Sequence, residues 1–237
     1  MLTLANPESG KHIPADLQTL LAKYQLLPQL QRELTIDHAI AEWERATNTP
    51  IIIPPEEITT AYQNWQQTHS SNTPDPNSAQ TEQPQRDVEE WCSRRLKIEQ
   101  FKRLRWQHQL ESYFLKRKGQ LDRVIYSLIR VRQQSIAQEL YFRLRDDEQS
   151  FAELAPAFSQ GLEAQTSGLV GPVELGSLHP FFAKQLRSSR PNELLLPMRL
   201  EDWFVVVRLE SFLRAQLDDA MKQRLLNELF ENWLAEQ

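Results

Sequence analysis

This 237-residue chain is short of cysteine and glycine, with one of the first (Cys92) and 6 of the second. A single cysteine excludes an internal disulfide framework and any cysteine-rich zinc module. Glycine stands at about 2.5% of the chain against a usual ~7%, too little for a nucleotide-binding α/β fold, whose phosphate loops use several. Neither a G-x-G-x-x-G nor a G-x-x-x-x-G-K-[ST] run occurs. Long apolar runs are missing too. The longest are short stretches such as Trp203 to Val207, far below the ~20 residues a membrane helix needs. The first twenty residues lack a basic head followed by an apolar run, so no secretory signal is expected. Together these absences make the cytoplasm the expected compartment.

What is present is ordinary for a globular protein. Hydrophobic residues make 40% and charged residues 25%, enough for a real core in one large domain or two small ones. The few glycines are unevenly placed. Gly161, Gly168, Gly171 and Gly176 fall within sixteen residues, which marks a segment with demanding backbone.

The first half reads as helical. Asp16 to Tyr24 forms a short helix, and Pro28 suits the first turn of a second that runs to about Thr47, with Ile36, Ile40 and Trp43 on one stripe. Pro54-Pro55-Glu56-Glu57 opens a third, its acids at the positive helix end, which fades near Gln67. From Ser70 to Arg86 the only apolar side chain besides proline is Ala79, and this stretch is expected to be a flexible loop. Helix resumes at Asp87 and continues, with one break, to Lys118. Its apolar stripe carries Ile98, Phe101, Leu104, His108 and Leu115, so His108 is expected to be a partly buried histidine and not a metal ligand.

After Gly119 the texture changes. Val124 to Val131 is short and β-branched, a strand. Ala137, Leu140, Tyr141 and Leu144 give a helix, and Phe151, Leu154, Ala155 and Phe158 give another. A short strand over Leu169 to Val173, a helix around Pro180 to Leu186 and a strand over Trp203 to Leu209 follow. The order β-α-α-β-α-β makes the chain α+β. Arg214 to Ala235 then reads as a helix with Leu217, Met221, Leu225, Leu229 and Trp233 four residues apart, widened by Leu226 and Phe230. So broad an apolar face needs a large partner, and the helical first half is the expected one. The expected organisation is a helical domain over 1–120, with 70–86 as its loop, a mixed domain over 121–211, and a returning helix over 212–237.

Charge is concentrated in one place. Between Arg94 and Arg132 stand 12 Lys/Arg and 3 Asp/Glu, a local +9 within a chain of net −5. A solvated helix face is the simplest reading, and contact with an anionic surface through 94–132 is the other. No nucleic-acid-binding motif is present, so nucleic acid is not an expected partner.

From Ser150 the sequence resembles a known pattern. Ser150-Phe151-Ala152-Glu153-Leu154-Ala155, then Phe158-Ser159, then Ser167-Gly168-Leu169-Val170-Gly171 resemble the "F-x-x-L-A … S … G-G-D-L-G" signature of the parvulin-type peptidyl-prolyl isomerases. Asn192-Glu193 followed by Pro197-Met198 resembles their "G-E-x-x-x-P-V" turn. The resemblance spans about 121–211. The helical first half and returning last helix also resemble the chaperone module of SurA-like and trigger-factor-like foldases.

The resemblance implies a site. The family's proline pocket corresponds to Leu178 and Phe182, and Leu169 and Phe204 complete the expected substrate-lining set. The first-strand histidine falls on Ser127, beside Tyr126, the last-strand histidine on Val205, and the central Cys or Asp on Gly161. None of the five histidines (His12, His38, His69, His108, His179) lies on either strand. The expected catalytic set is therefore Ser127, Tyr126, Gly161 and Val205, with the apolar pocket kept and the family's polar groups lost. An acid restored at 161 is expected to raise the rate if the backbone there tolerates a side chain. No cofactor or metal is implied. The expected function is isomerisation of X-Pro bonds in proline-containing unfolded polypeptides, or client binding as a chaperone or secretion adaptor without turnover.

Overall fold

The computed structural model of the chain describes residues 17–69 and 82–236. Chain contacts divide it into two units, one holding the residues through His108 together with those from Leu226 on, the other Gln109–Leu225.

The first unit is helical: α1 (Leu17–Lys23), α2 (Leu27–Thr47), α3 (Pro55–His69), α4 (Glu82–Trp106) and the end of α9 (Asp219–Leu234). Pro28 lies in the first turn of α2, where its missing N–H is no loss, and Asn48 ends that helix in a left-handed conformation. Glu56 and Glu57 occupy the first turn of α3. Of the expected loop, 70–81 lie outside the described residues, whereas 82–86 are helical, because α4 begins at Glu82. Ile36, Ala39, Ile40, Cys92, Phe101 and Trp106 are buried, as are Leu226 and Phe230. Trp233 packs 5.7 Å from both Phe101 and Trp106, and Phe230 lies 6.1 Å from Trp106. The C-terminal helix thus returns to the helical unit.

Much of the basic stretch is internally compensated. Arg94 pairs with Glu33 and Asp37 at 2.8 Å, Lys97 with Glu44 at 2.9 Å, and the buried Lys102 with Glu99 at 2.7 Å. His108 is exposed, as are Leu104 and Leu115. The 3-10 turn Gln107–Gln109 resets the helical phase between α4 and α5 (Leu110–Leu121), so the expected single stripe does not run through it.

The second unit contains α5, β1 (Arg123–Val131), α6 (Gln134–Arg145), α7 (Phe151–Phe158), β2 (Leu169–Glu174), α8 (Pro180–Ser188), β3 (Leu194–Leu200), β4 (Trp203–Leu213) and the start of α9. Helix α5, expected in the helical domain, groups here instead. The Asp122 carbonyl after it accepts from Leu175 N at 2.8 Å, and the Asp122 carboxylate from Ala215 N at 2.8 Å. The sheet is antiparallel with order β2-β1-β4-β3. The mixed architecture is the one expected, with one further strand. β3 contains Pro197, which reads against a strand, and it sits at the sheet edge with its register shifting between Leu195 and Met198. β4 runs on to Leu213, so the last helix starts at Asp219 and not near Arg214.

A capping box starts α7: Ser150 Oγ accepts from Glu153 N, and Glu153 Oε2 accepts from Ser150 N at 2.7 Å. Gly171 lies in β2 where the register against β1 shifts, at φ +115°, and a Cβ there would lie 2.5 Å from the Val124 carbonyl oxygen.

Candidate active site

Two cores flank the sheet. On one face Val124, Tyr126, Leu128, Val205, Val207 and Leu209 pack with Phe182, Ala183 and Leu186 of α8. On the other, Ile129, Val131 and Val206 pack with α6 and α7 through Ala137, Leu140, Phe151, Leu154 and Ala155. Antiparallel partners share a face, and the register pairs Tyr126 with Leu209, Leu128 with Val207 and Arg130 with Val205. Arg130 therefore belongs to the α8 face.

The expected site residues divide along the same line. Tyr126, Val205, Leu178 and Phe182 come together in the α8-side cluster, whose rim is the half-buried Val170, Leu178, Met198, Leu200 and Trp203. Ser127, Leu169 and Phe204 do not join them. Ser127 Oγ donates to Glu210 Oε1 at 2.5 Å on the opposite face, and Arg208 Nε donates to the same oxygen at 2.8 Å. Phe204 packs against the α6/α7 core, and Leu169, half exposed, pairs with Ser127 across β1. The reason is the two-residue period of a strand, in which an offset of one residue changes the face. On β1 the pocket-side position is Tyr126. Phe182 is 4% exposed and Tyr126 5%, so both rings lie in the core of this face, beneath the half-buried side chains that pack against it.

Gly161 holds no acid because its side-chain space is already filled. A Cβ there would lie 2.1 Å from Arg130 Nε and 2.3 Å from Glu163 Oε2. An acid at 161 would meet the ends of the Arg130 and Glu163 side chains, which would have to shift for it to fit. Arg130 grips Glu163 with two hydrogen bonds, Nε to Oε1 at 2.7 Å and Nη2 to Oε2 at 2.5 Å. Ser159 Oγ donates to Glu163 Oε1 at 2.6 Å and accepts from Arg130 N at 3.0 Å. The Glu163 side chain is only 1% exposed, that of Arg130 34%. Burial alone would push the Glu163 carboxyl up, but the hydrogen bonds from Arg130 and Ser159 and the guanidinium charge hold it below the ordinary carboxylate range. The same bond to Glu163 raises Arg130 further, and burial pushes the Tyr126 phenol up. Arg130 and Glu163 were not among the expected site residues. The available signal was a charged residue inside the apolar run of β1, two residues along from Leu128 on the same face.

A cavity of about 760 Å³ lies elsewhere in this unit, lined among others by Arg123, Glu174, Phe212, Arg214, Asp218 and Arg224. It contains none of the expected residues, and Arg224 closes on Glu174 within it.

The family described as Rotamase, PPIC-type PPIASE domain, matches residues 129–211. This segment is a parvulin-type domain. Among solved structures, the chain is similar to the peptidylprolyl isomerase PrsA of Bacillus anthracis at 17% identity and a TM-score of 0.42, covering 87% of this chain and 89% of that one. It is similar to the parvulin domain of PpiD from E. coli at 23% identity and a TM-score of 0.36, over 42% of this chain and 97% of that one. A third likeness is to one of the SurA-like chaperones PEB4 and Cj1289 of Campylobacter jejuni, at 14% identity and a TM-score of 0.39, over 99% of this chain and 93% of that one. No curated protein matches the chain. The sheet, α8 and the Tyr126–Val205 face all fall in or beside the PPIC-type segment. Residues 129–211 thus match the domain model of a peptidyl-prolyl isomerase family.

Proposed function

We propose that this chain is a foldase whose PPIC-type domain seats proline-containing segments of unfolded polypeptides on the α8 face and speeds exchange of their X-Pro bonds. The observation that carries this reading is the gathering of Tyr126 with Leu178, Phe182 and Val205 into one cluster, the last three within the segment that matches the isomerase family. The half-buried rim of Leu178, Val170, Met198 and Trp203 offers an apolar seat for a pyrrolidine ring.

The chemistry asked of such a seat is modest. Amide resonance sets a rotation barrier of ~18–20 kcal/mol. The two X-Pro isomers differ by only about 0.5–1 kcal/mol. No nucleophile or proton transfer is required. Holding the ring while the carbonyl turns in apolar surroundings disfavours the charge-separated planar amide, and each ~1.4 kcal/mol removed from the barrier is tenfold in rate. Neither strand carries a histidine, so turnover is expected to be slow for the family. On this reading the helical unit holds the client chain.

The test is exchange NMR on a set of proline tetrapeptides with the full chain. Acceleration for at least one residue preceding proline supports the reading; rates equal to the uncatalysed control for every peptide remove it.

A second reading, client binding without turnover, is favoured by the depth of Phe182 and by the guanidinium that fills the space beside Gly161. It calls for suppression of aggregation by the full chain that is equal for proline-containing and proline-free clients, with no exchange acceleration.

A further inference from the structure

We propose that Arg130 is a catalytic residue of this domain, donating a hydrogen bond to the imide nitrogen of the X-Pro bond as that bond twists; this rests on the isomerase reading above. In the planar amide the nitrogen lone pair is delocalised into the carbonyl and accepts no hydrogen bond. Rotation breaks that resonance, and the lone pair localises on a pyramidal nitrogen. A donor aimed there binds the twisted state and not the planar one, which is the condition for raising kcat without tightening binding.

Arg130 has the placement for this task. It is paired with Val205 across β1 and β4, on the face that carries Tyr126, Leu178 and Phe182. Its guanidinium is fixed by Glu163 through Nε and Nη2, and the Nη1 amino group lies outside that fork. The side chain remains 34% exposed, while the carboxylate that orients it is buried. A guanidinium held in a rigid fork loses little freedom when it makes a further bond. Gly161 supplies the room, since any side chain there would meet Nε and Cζ. The glycine where the family has an acid and the arginine on the first strand are therefore parts of one arrangement. No bond is made or broken and the guanidinium keeps its proton throughout.

The alternative role for the pair is a tether that holds the 3-10 turn Leu162–Thr166 to β1. The experiment compares full-length wild type, Arg130→Gln, Arg130→Lys and Gly161→Ala by exchange NMR for rate, by chemical-shift titration of a proline tetrapeptide for affinity, and by circular dichroism for folding. Gly161 has φ −121° and ψ −178°, extended backbone that alanine adopts freely, so this variant displaces the guanidinium together with its carboxylate partner while removing neither charge. The expected result is a kcat lower by about 10- to 100-fold in all three, the span of one charged hydrogen bond, with peptide affinity within about twofold of wild type. A folded Arg130→Gln protein with wild-type kcat, or one whose loss lies wholly in affinity, overturns the proposal and leaves the tether. Should Arg130→Gln unfold, Gly161→Ala decides on the same readouts. A wild-type protein that accelerates no peptide overturns the isomerase reading itself, and that control separates the two failures.

Discussion

The rings of Tyr126 and Phe182 meet edge to face, with centroids 5.2 Å apart and planes at 86°. This contact joins β1 to α8 beneath the groove, and it makes Phe182 a core residue as much as a site residue. The family resemblance places Phe182 in the proline pocket. With 4% of its surface exposed it has the environment of a core aromatic.

Phe182→Ala is accordingly expected to cost about 3–5 kcal/mol of stability, the usual range for a buried aromatic. Leu178→Ala, on the half-buried rim, is expected to cost less in folding and to weaken proline-peptide binding severalfold. Chemical denaturation and peptide titration separate the two effects. A Phe182→Ala protein of wild-type stability, or a Leu178→Ala protein with unchanged affinity, contradicts this division between core and rim.

The sequence-to-structure comparison has a physical pattern. Elements with a clean period were legible: β1 from its β-branched run, α7 and α8 from their apolar spacing, α9 from its stripe. β3 was not, because Pro197 breaks a run that has no alternation and that pairs on one side only. At the site, the family motif placed the right segments, but Ser127 differs from Tyr126 by one residue and therefore by one face. The Arg130–Glu163 pair joins residues 33 apart in sequence, and nothing in local periodicity reports such a contact. Gly161 read as a missing acid; only the fold shows what occupies its place.

Glu163 makes acid sensitivity a second prediction. Its folded pKa lies below the unfolded value of about 4.3, so the carboxylate's stabilisation is fully present above that value and is lost as pH falls through the lower, folded one. Glu163→Gln removes the charge but keeps the shape, and at pH 7 it is expected to cost roughly 1–3 kcal/mol, the penalty for a buried partner left poorly satisfied. Urea midpoints at pH 7 and near pH 3 are the measurement. The gap between wild type and variant should narrow at the lower pH; an unchanged gap means that another group governs the acid limb.

Gly171 gives a third. Its φ of +115° is a conformation that other residues reach only with strain, of order 1–3 kcal/mol, and a Cβ would lie 2.5 Å from the Val124 carbonyl oxygen. Gly171→Ala is thus expected to loosen the pairing of β2 on β1. Hydrogen exchange at Val124, Tyr126 and Val170 reads this locally. Unchanged protection there, in a variant as stable as wild type, refutes it.

The fourth prediction concerns the helical unit and the end of the chain. Trp233 sits 5.7 Å from the rings of Phe101 and Trp106 and 5.8 Å from Phe230, with the Arg105 guanidinium 5.0 Å over its own ring. The buried Lys102 reaches the same helix, donating to Asn227 Oδ1 at 2.9 Å and lying over the Phe230 ring. Trp233 is half-buried, so its truncation removes part of a large apolar contact together with several ring pairs worth ~0.5–1.5 kcal/mol each. Trp233→Ala is expected to destabilise the helical unit by roughly 2–3 kcal/mol. The four-stranded sheet draws its two cores from other residues, so amide protection along β1 and β4 should hold while that of α2 and α4 falls. Hydrogen exchange followed by mass spectrometry resolves the two sets. Equal losses in both would mean that the C-terminal helix stabilises the chain as a whole, and no loss in α2 and α4 would mean that the aromatic cluster is incidental to holding the helices.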